Sequence, residues 1–201
     1  MKRLFDILFS AIMLVLLSPV FLLLAILIKI FSPKGPIFFA HKRLGKDKIP
    51  FKLYKFRTMV PDAQAVLEEL FEQNPEIKAQ YEQDFKLKHD PRVIPVIGNF
   101  LRKTSLDELP QFINSLIGDI SVVGPRPIVE WEVEKYGIYA DKFFSIKPGI
   151  TGLWQISGRN DTSYENRVKL DMQYIDKRSF LGDLAIVIKT PFAMISRKGA
   201  Y

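Results

Sequence analysis

From Ile7 to Ile28 the chain carries no charged residue, and only Ser10, Ser18 and Pro19 interrupt an otherwise apolar run. That length meets the ~20-residue need of a membrane-spanning helix. It is too long for the apolar core of a cleaved signal peptide, and Lys29–Gly35 lacks a small-x-small cleavage pattern, so the segment is expected to stay in the mature protein. Pro19 sits near the middle, where it removes a backbone hydrogen bond and can kink the helix; Ser18 is placed to satisfy a freed carbonyl. Lys2 and Arg3 precede the run, and Lys29, Lys34, Lys42 and Arg43 follow it. Cations on both sides give no positive-inside asymmetry. Two paths stay open on physical grounds: a plain span with a tolerated proline, or a helix bent at Ser18-Pro19 that enters and leaves on one face.

Beyond this run the pattern shortens. Ile37–Ala40 and Phe51–Arg57 read as strands around a turn at Leu44–Lys48, which predicts a hairpin. Asp62 to Lys88 is charged and helix-favouring, and Asn74-Pro75 divides it into two helices. Leu106, Leu109, Phe112, Ile113 and Leu116 recur at helical spacing with Gly118 as a stop. Val122–Pro127 and Gly149–Gly158 read as glycine-containing loops, separated by a helical Glu130–Phe144 and followed by a helical Ser163–Tyr174. The closing Leu181–Ile195 is apolar with Lys189, and Arg197 and Lys198 follow; it reads either as an interfacial amphipathic helix or as a core helix with a basic end.

Composition narrows the chemistry. The 201 residues suffice for one well-packed domain, and the formal net charge of +7 points to an anionic partner: nucleic acid, an anionic membrane surface or phosphorylated small molecules. With no cysteine, thiolate nucleophiles and cysteine-held metals are excluded, and with only His41 and His89 a three-histidine zinc site cannot form within one chain. Any metal must rest mainly on carboxylates, which favours Mg²⁺ or Mn²⁺.

The most informative stretch is Arg102-Lys103-Thr104-Ser105-Leu106-Asp107-Glu108-Leu109-Pro110. Ser105 followed three residues later by Glu108 is the pattern of a capping box, and acids in a first helical turn complement the macrodipole. Pro110 opposes that reading, because just beyond a first turn its missing N–H begins to cost a hydrogen bond. The alternative is a tight turn before the main helix, with Asp107 and Glu108 beside free N–H groups. An aspartate so placed can bind Mg²⁺ or attack phosphorus. Lys55 and Arg57, with Lys52, share a strand with Tyr54 and Phe56; Arg126 is stiffened between Pro125 and Pro127; Arg159 follows Gly158. Singly, each is a solvated cation; together with the acidic pair they describe a site for Mg²⁺ and a pyrophosphate near lipid. No nucleic-acid motif, Walker A loop, G-x-G-x-x-G or serine-hydrolase elbow is present.

These motifs, in this order, resemble the bacterial sugar transferases known as polyprenyl-phosphate hexose-1-phosphate, or monotopic phosphoglycosyl, transferases. The resemblance runs from Lys2–Asp6 and Ser18-Pro19 through Tyr54–Met59, Arg102–Pro110, Gly118-Asp119 and Val123–Pro127 to Lys147–Gly152 and Gly158–Asn160. It implies that Asp107 is a nucleophile that attacks the sugar-bearing phosphate of a UDP-sugar and expels UMP. The resulting aspartyl phosphosugar then passes to a polyprenyl phosphate, undecaprenyl phosphate being the expected one. It further implies that Glu108 supports Asp107, that both carboxylates hold Mg²⁺, and that Ser18-Pro19 makes the first helix re-entrant. Lys55 and Arg126 match cations near the phosphates. Arg57, Arg102 and Arg159 are carried over as phosphate contacts too, although structural anchoring accounts for them equally. Asp84–Lys88, Asp90-Pro91-Arg92, Trp154–Arg159 and Gly199–Tyr201 look most like galactose- or glucose-starting transferases, in a minimal catalytic form.

The expectation is therefore an α+β fold, mainly α: a re-entrant helix over residues 1–34, then one catalytic region over 35–201 with a small hairpin and interfacial helices. It would sit on the cytoplasmic face of the bacterial inner membrane, with lipid, UDP-sugar and polyprenyl phosphate as partners, a second copy of the chain as a candidate, and no nucleic acid. Two other readings remain: a membrane-tethered basic scaffold whose acids only cap a helix, and a lipid phosphatase using the same carboxylates.

Overall fold

A computed structural model describes residues 1–84, 87, 90–158 and 163–195. Arg159 and Asn160, most of the Phe85–His89 stretch and the terminal Arg197–Tyr201 lie outside the described residues. The apolar run forms α1 (Lys2–Leu16) and α2 (Ser18–Phe31), which meet at 58°. The cause of the bend is local. Pro19 cannot donate to the Val15 carbonyl, and Ser18 Oγ donates to that oxygen instead at 2.8 Å. Among the described residues no single helix is long and apolar enough to cross a membrane, while the bent pair together passes by length and composition.

Helix α1 is inverted relative to a helix of a soluble protein. Its Leu4, Leu8, Ile12 and Val15 are exposed, whereas Asp6 and Ser10 are buried. Asp6 accepts from Ser121 Oγ and Val122 N–H, each at 2.9 Å, and Ser10 Oγ donates to Ser115 Oγ at 2.9 Å. These polar groups, with Phe5 and Phe9 packed on a core of Val122, Val123, Tyr174 and Ile186, hold α1 to the rest of the chain, while the Leu4, Leu8, Ile12 and Val15 face is left outside.

The hairpin forms as expected and is longer, with β1 (Phe38–Leu44) antiparallel to β2 (Pro50–Phe56) in the register Phe38↔Phe56 to Leu44↔Pro50. Next come α3 (Ala63–Gln73) and α4 (Pro75–Asp84), divided at Asn74-Pro75, and then α5 (Ile97–Thr104). The single helical face expected from Leu106 onward is broken. Leu106–Glu108 is a 3-10 turn, and α6 (Gln111–Ile117) starts only after Pro110. Ser105 enters that turn at φ 57° and makes no side-chain cap, so the capping-box reading gives way to the tight turn. Leu106 and Leu109 pack instead on a core built from Leu24 and Ile28 of α2, Phe56 of β2 and Ile97 and Leu101 of α5.

Two stretches expected as loops contain a short parallel sheet, β3 (Ser121–Val123) beside β4 (Gly149–Thr151). Between them lie a 3-10 segment, Glu130–Tyr139, kinked at Gly137, and α7 (Ala140–Phe144). The chain closes with α8 (Leu153–Ile156), α9 (Tyr164–Lys177) and α10 (Phe180–Ile195). The last helix buries Asp183 and Ile186, as a core helix does, and leaves Leu181, Leu184, Ile188 and Phe192 exposed.

Candidate active site

The tight turn presents the acidic pair to cations from two other elements. Lys55 Nζ, from β2, lies 2.8 Å from Glu108 Oε1 and 3.5 Å from Asp107 Oδ2. Arg126 Nη2 lies 3.0 Å from the same Glu108 oxygen. Glu108 is therefore clamped from both sides, and among the described residues Asp107 has only the longer contact with Lys55 as an ion pair.

Each side chain is placed by backbone packing. Asn114, fully buried on α6, accepts from Tyr54 N–H (2.9 Å) and donates to the Lys52 carbonyl (2.7 Å) and to Asp119 (2.9 Å). Those bonds fix the strand that carries Lys55 against the helix that follows the acidic turn. The Arg126 loop is seated on β4, where Gly124 N–H donates to Thr151 O (2.9 Å) and Gly149 N–H to Pro125 O (2.8 Å). A Cβ on Gly149 would stand 2.1 Å from Gly124 N, so this approach requires glycine there. Beyond Arg126 the loop is held by Leu44 N–H donating to Ile128 O at 3.0 Å.

The two carboxylates differ in electrostatics. Burial raises the pKa of Asp107; Lys55 opposes that rise and the neighbouring Glu108 charge adds to it. Burial works in the same direction on Glu108, but Arg126 and Lys55 outweigh it and hold that carboxyl well below the usual carboxylate range. Glu108 is the fixed anion of the pair, and Asp107 is the less stabilised and more basic one.

Other expected cations lie elsewhere. Arg57 is buried and points away from the pair. Its guanidinium donates to Ser32 Oγ (2.8 Å), to the carbonyls of Ser32 and Lys34 (2.9 Å each), and to those of Met59 and Pro36. It ties the chain leaving α2 to the end of β2. Arg102 donates from Nε to Thr58 Oγ1 at 3.0 Å; it stands within electrostatic range of Asp107 and forms no ion pair with it among the described residues. Arg159 lies outside the described residues.

A second row of cations, which no motif in the sequence marks, stands near Arg126. Arg43 of β1 and Arg167 of α9 flank Glu132, each at 3.4 Å, and Arg167 lies over the rings of Trp154 and Tyr164. Burial, with Arg126 close by, pushes the Arg43 pKa down to about 10, which leaves it charged at neutral pH. Burial, with Arg43 and Lys55 nearby, lowers the pKa of His41, favouring a neutral imidazole. Arg43 Nε and Arg167 Nε and Nη2 have no hydrogen-bond partner among the described residues. The available signal was the Arg167/Asp171 spacing of four on a helix, which an ordinary surface pair would also show.

Among the described residues no group of three or more acids or histidines forms a closed metal cage. Two adjacent carboxylates do fit Mg²⁺, which is commonly held by one or two carboxylates together with substrate phosphates. A buried, less stabilised carboxylate, a clamped second acid and two converging cations stand together on the turn, an arrangement whose charges suit a phosphorylated ligand.

Known proteins match the chain along nearly its whole length. The profile described as bacterial sugar transferase matches residues 1–197. The chain is 47% identical over 201 residues to the undecaprenyl-phosphate galactose phosphotransferase of Salmonella typhimurium, covering all of this chain and 42% of that protein. It is 42% identical over 209 residues to the UDP-glucose:undecaprenyl-phosphate glucose-1-phosphate transferase of Escherichia coli, covering 41% of that protein. The exopolysaccharide production protein ExoY of Rhizobium meliloti is 49% identical over 200 residues, and there the match covers 88% of the relative. This chain therefore spans about two fifths of the first two relatives and most of the third. On the extent of these matches, the chain belongs to the bacterial sugar transferase family.

Proposed function

We propose that the chain transfers hexose-1-phosphate from a UDP-sugar, galactose or glucose favoured, to undecaprenyl phosphate, using Asp107 as a covalent nucleophile. The observation that carries this reading is the acidic turn itself, a buried aspartate beside a glutamate already neutralised by Lys55 and Arg126. In the first step an Asp107 carboxylate oxygen attacks the sugar-bearing phosphorus. The bond to the UMP oxygen breaks, and UMP leaves with the electron pair. In the second, an oxygen of undecaprenyl phosphate attacks the aspartyl phosphosugar, the phosphorus–Asp107 bond breaks, and the carboxylate is restored. Both attacking groups are anions, so neither step needs a general base.

Lys55 and Arg126 have the charge and placement to bind the substrate's phosphate oxygens, with Arg126 able to do so bidentately. Glu108 serves as a fixed anion that orients them, because its depressed pKa keeps it ionised and unsuited to carrying a proton near neutral pH. Mg²⁺, held by Asp107 and Glu108 together with the diphosphate, would supply charge neutralisation at the phosphates and the UMP leaving group. Arg57, enclosed by carbonyls, is assigned a structural role.

The exposed apolar faces of α1, α2 and α10 suit a lipid surface, and the Ser18-Pro19 bend suits a helix that enters and leaves the cytoplasmic face of the inner membrane. Tags at the N-terminus and after Lys34 are then expected to report the same side; opposite sides would mean a span. The transfer itself is tested with purified chain, Mg²⁺, undecaprenyl phosphate and a panel of UDP-sugars, reading UMP. Release with UDP-galactose or UDP-glucose supports the proposal. Inorganic phosphate released without any UDP-sugar would indicate a phosphatase instead.

A further inference from the structure

A cleft of roughly 220 Å³ opens between α8, the end of α9 and α10, away from the acidic turn. Its apolar wall is formed by Leu153 and Ile156 of α8 and by Ala185 and Ile186 of α10. Lys177, Arg178 and Lys189 line it as well, and all three are exposed. Two nearby acids are already engaged: Asp176 pairs with Lys142 at 2.6 Å, and Asp183 pairs with Lys2. The three cations form no ion pair among the described residues, so the cleft carries an uncompensated positive rim over an apolar wall.

Its position on α10 sets what can enter. Gly182, Ala185, Ile186 and Lys189 follow one another at helical spacing on the cleft side. The neighbouring stripe, Leu181, Leu184, Ile188 and Phe192, is exposed at 76%, 39%, 58% and 69%. Phe180, itself exposed, contacts the half-buried Phe5 edge-on at 5.6 Å, which sets this stripe beside α1. A ligand here meets cations at its head and borders, along its length, the surface assigned above to lipid. Lys55, Asp107, Glu108 and Arg126 do not line the cleft, so a phosphate held in it is not in place for attack by or on the acidic turn.

We propose that this cleft binds one anionic phospholipid as a resident, non-reacting ligand, its phosphate on Lys177, Arg178 and Lys189 and its first acyl carbons along Leu153, Ile156 and Ala185. The proposal rests on the membrane reading given above. Lys and Arg stems lie along apolar surface while their charges meet headgroup phosphates, and each cation near an anionic lipid surface strengthens binding roughly fivefold.

The test uses the full chain in nanodiscs of phosphatidylcholine containing a photoactivatable phosphatidylglycerol or, separately, the matching phosphatidylcholine probe. The phosphatidylglycerol probe is expected to label peptides covering residues 173–189 and the phosphatidylcholine probe to label them weakly. Lys177→Gln/Arg178→Gln/Lys189→Gln should lower the labelling by about tenfold or more. Ala185→Trp, which fills the cleft and keeps its charges, should lower it too. Equal labelling by both probes, or labelling unchanged in either variant, would overturn the proposal. So would displacement of the probe by equimolar undecaprenyl phosphate, which would make the cleft an acceptor site. Flotation of the wild-type chain on pure phosphatidylcholine vesicles tests the membrane reading separately, since it needs no anionic lipid.

Discussion

Lys55 and Arg57 stand two residues apart at the end of β2, and they end in two regions of different kind. Lys55 reaches two carboxylates on a turn that Arg126 also contacts, so its partners are charged groups that an incoming ion would rearrange. Arg57 is enclosed by a serine hydroxyl and backbone carbonyls from the segment after α2 and by the Met59 carbonyl, with no carboxylate among its partners in the described residues. A guanidinium that satisfies carbonyls ties chain segments together, and its removal strands buried acceptors. A cation that faces carboxylates can exchange partners, which is what the proposed phosphate-binding role requires.

Three changes in the acidic region and one in the anchor can break that contrast. Asp107→Asn is expected to lower UMP release by about a thousandfold or more while leaving the circular dichroism spectrum intact, because the amide keeps the shape and loses the nucleophile. Arg126→Met should lower kcat/KM by about a hundredfold, and Arg126→Lys should recover only part of it, since an ammonium lacks the bidentate fork. Arg57→Met should behave oppositely. Stability to denaturant falls by about 2–4 kcal/mol, and the activity of the folded fraction stays within a few-fold of wild type. A hundredfold loss in folded Arg57→Met enzyme would erase the distinction between the two regions.

The smallest effect is in pH dependence. Burial raises the Asp107 pKa and Lys55 counteracts the rise, so the acid limb of kcat/KM should lie above the ordinary aspartate range. Activity falls as pH drops through that limb, because the protonated carboxyl cannot attack. Lys55→Met removes the counteracting charge and should move the limb to higher pH. Movement to lower pH, or none, would mean that Lys55 does not sustain the ionised aspartate.

What the sequence made legible depends on how local the causes are. Proline and turn residues act within a few positions. The bend at Ser18-Pro19, the hairpin around Gly45 and the division at Asn74-Pro75 could therefore be read directly. The acidic turn was ambiguous because Ser105–Glu108 fits a capping box locally. The left-handed Ser105 and the packing of Leu106 and Leu109 on the α2–α5 core decide it from outside the segment. Non-local pairing was not legible at all. The sheet joins Ser121–Val123 to Gly149–Thr151 across the intervening chain, and its three-residue strands look like glycine loops in isolation. Helix α5 is amphipathic, with Ile97 and Leu101 on its buried side, but at eight residues it spans barely two turns, too few for its period to stand out from the sequence alone. The exchange of Arg57 from site to anchor has the same origin, since strand alternation places it with Lys55 and only the fold beneath α2 separates them.

The central claim, that Asp107 forms the covalent bond, is tested most directly by intact-protein and peptide mass spectrometry after mixing the chain with UDP-galactose or UDP-glucose and Mg²⁺ in the absence of undecaprenyl phosphate. The account predicts one hexose phosphate per chain, mapped to the peptide carrying Asp107, with an equivalent of UMP released and no adduct in Asp107→Asn. Transfer that proceeds only with acceptor present and leaves no adduct on that peptide, or an Asp107→Asn enzyme that still releases UMP at the wild-type rate, would contradict it.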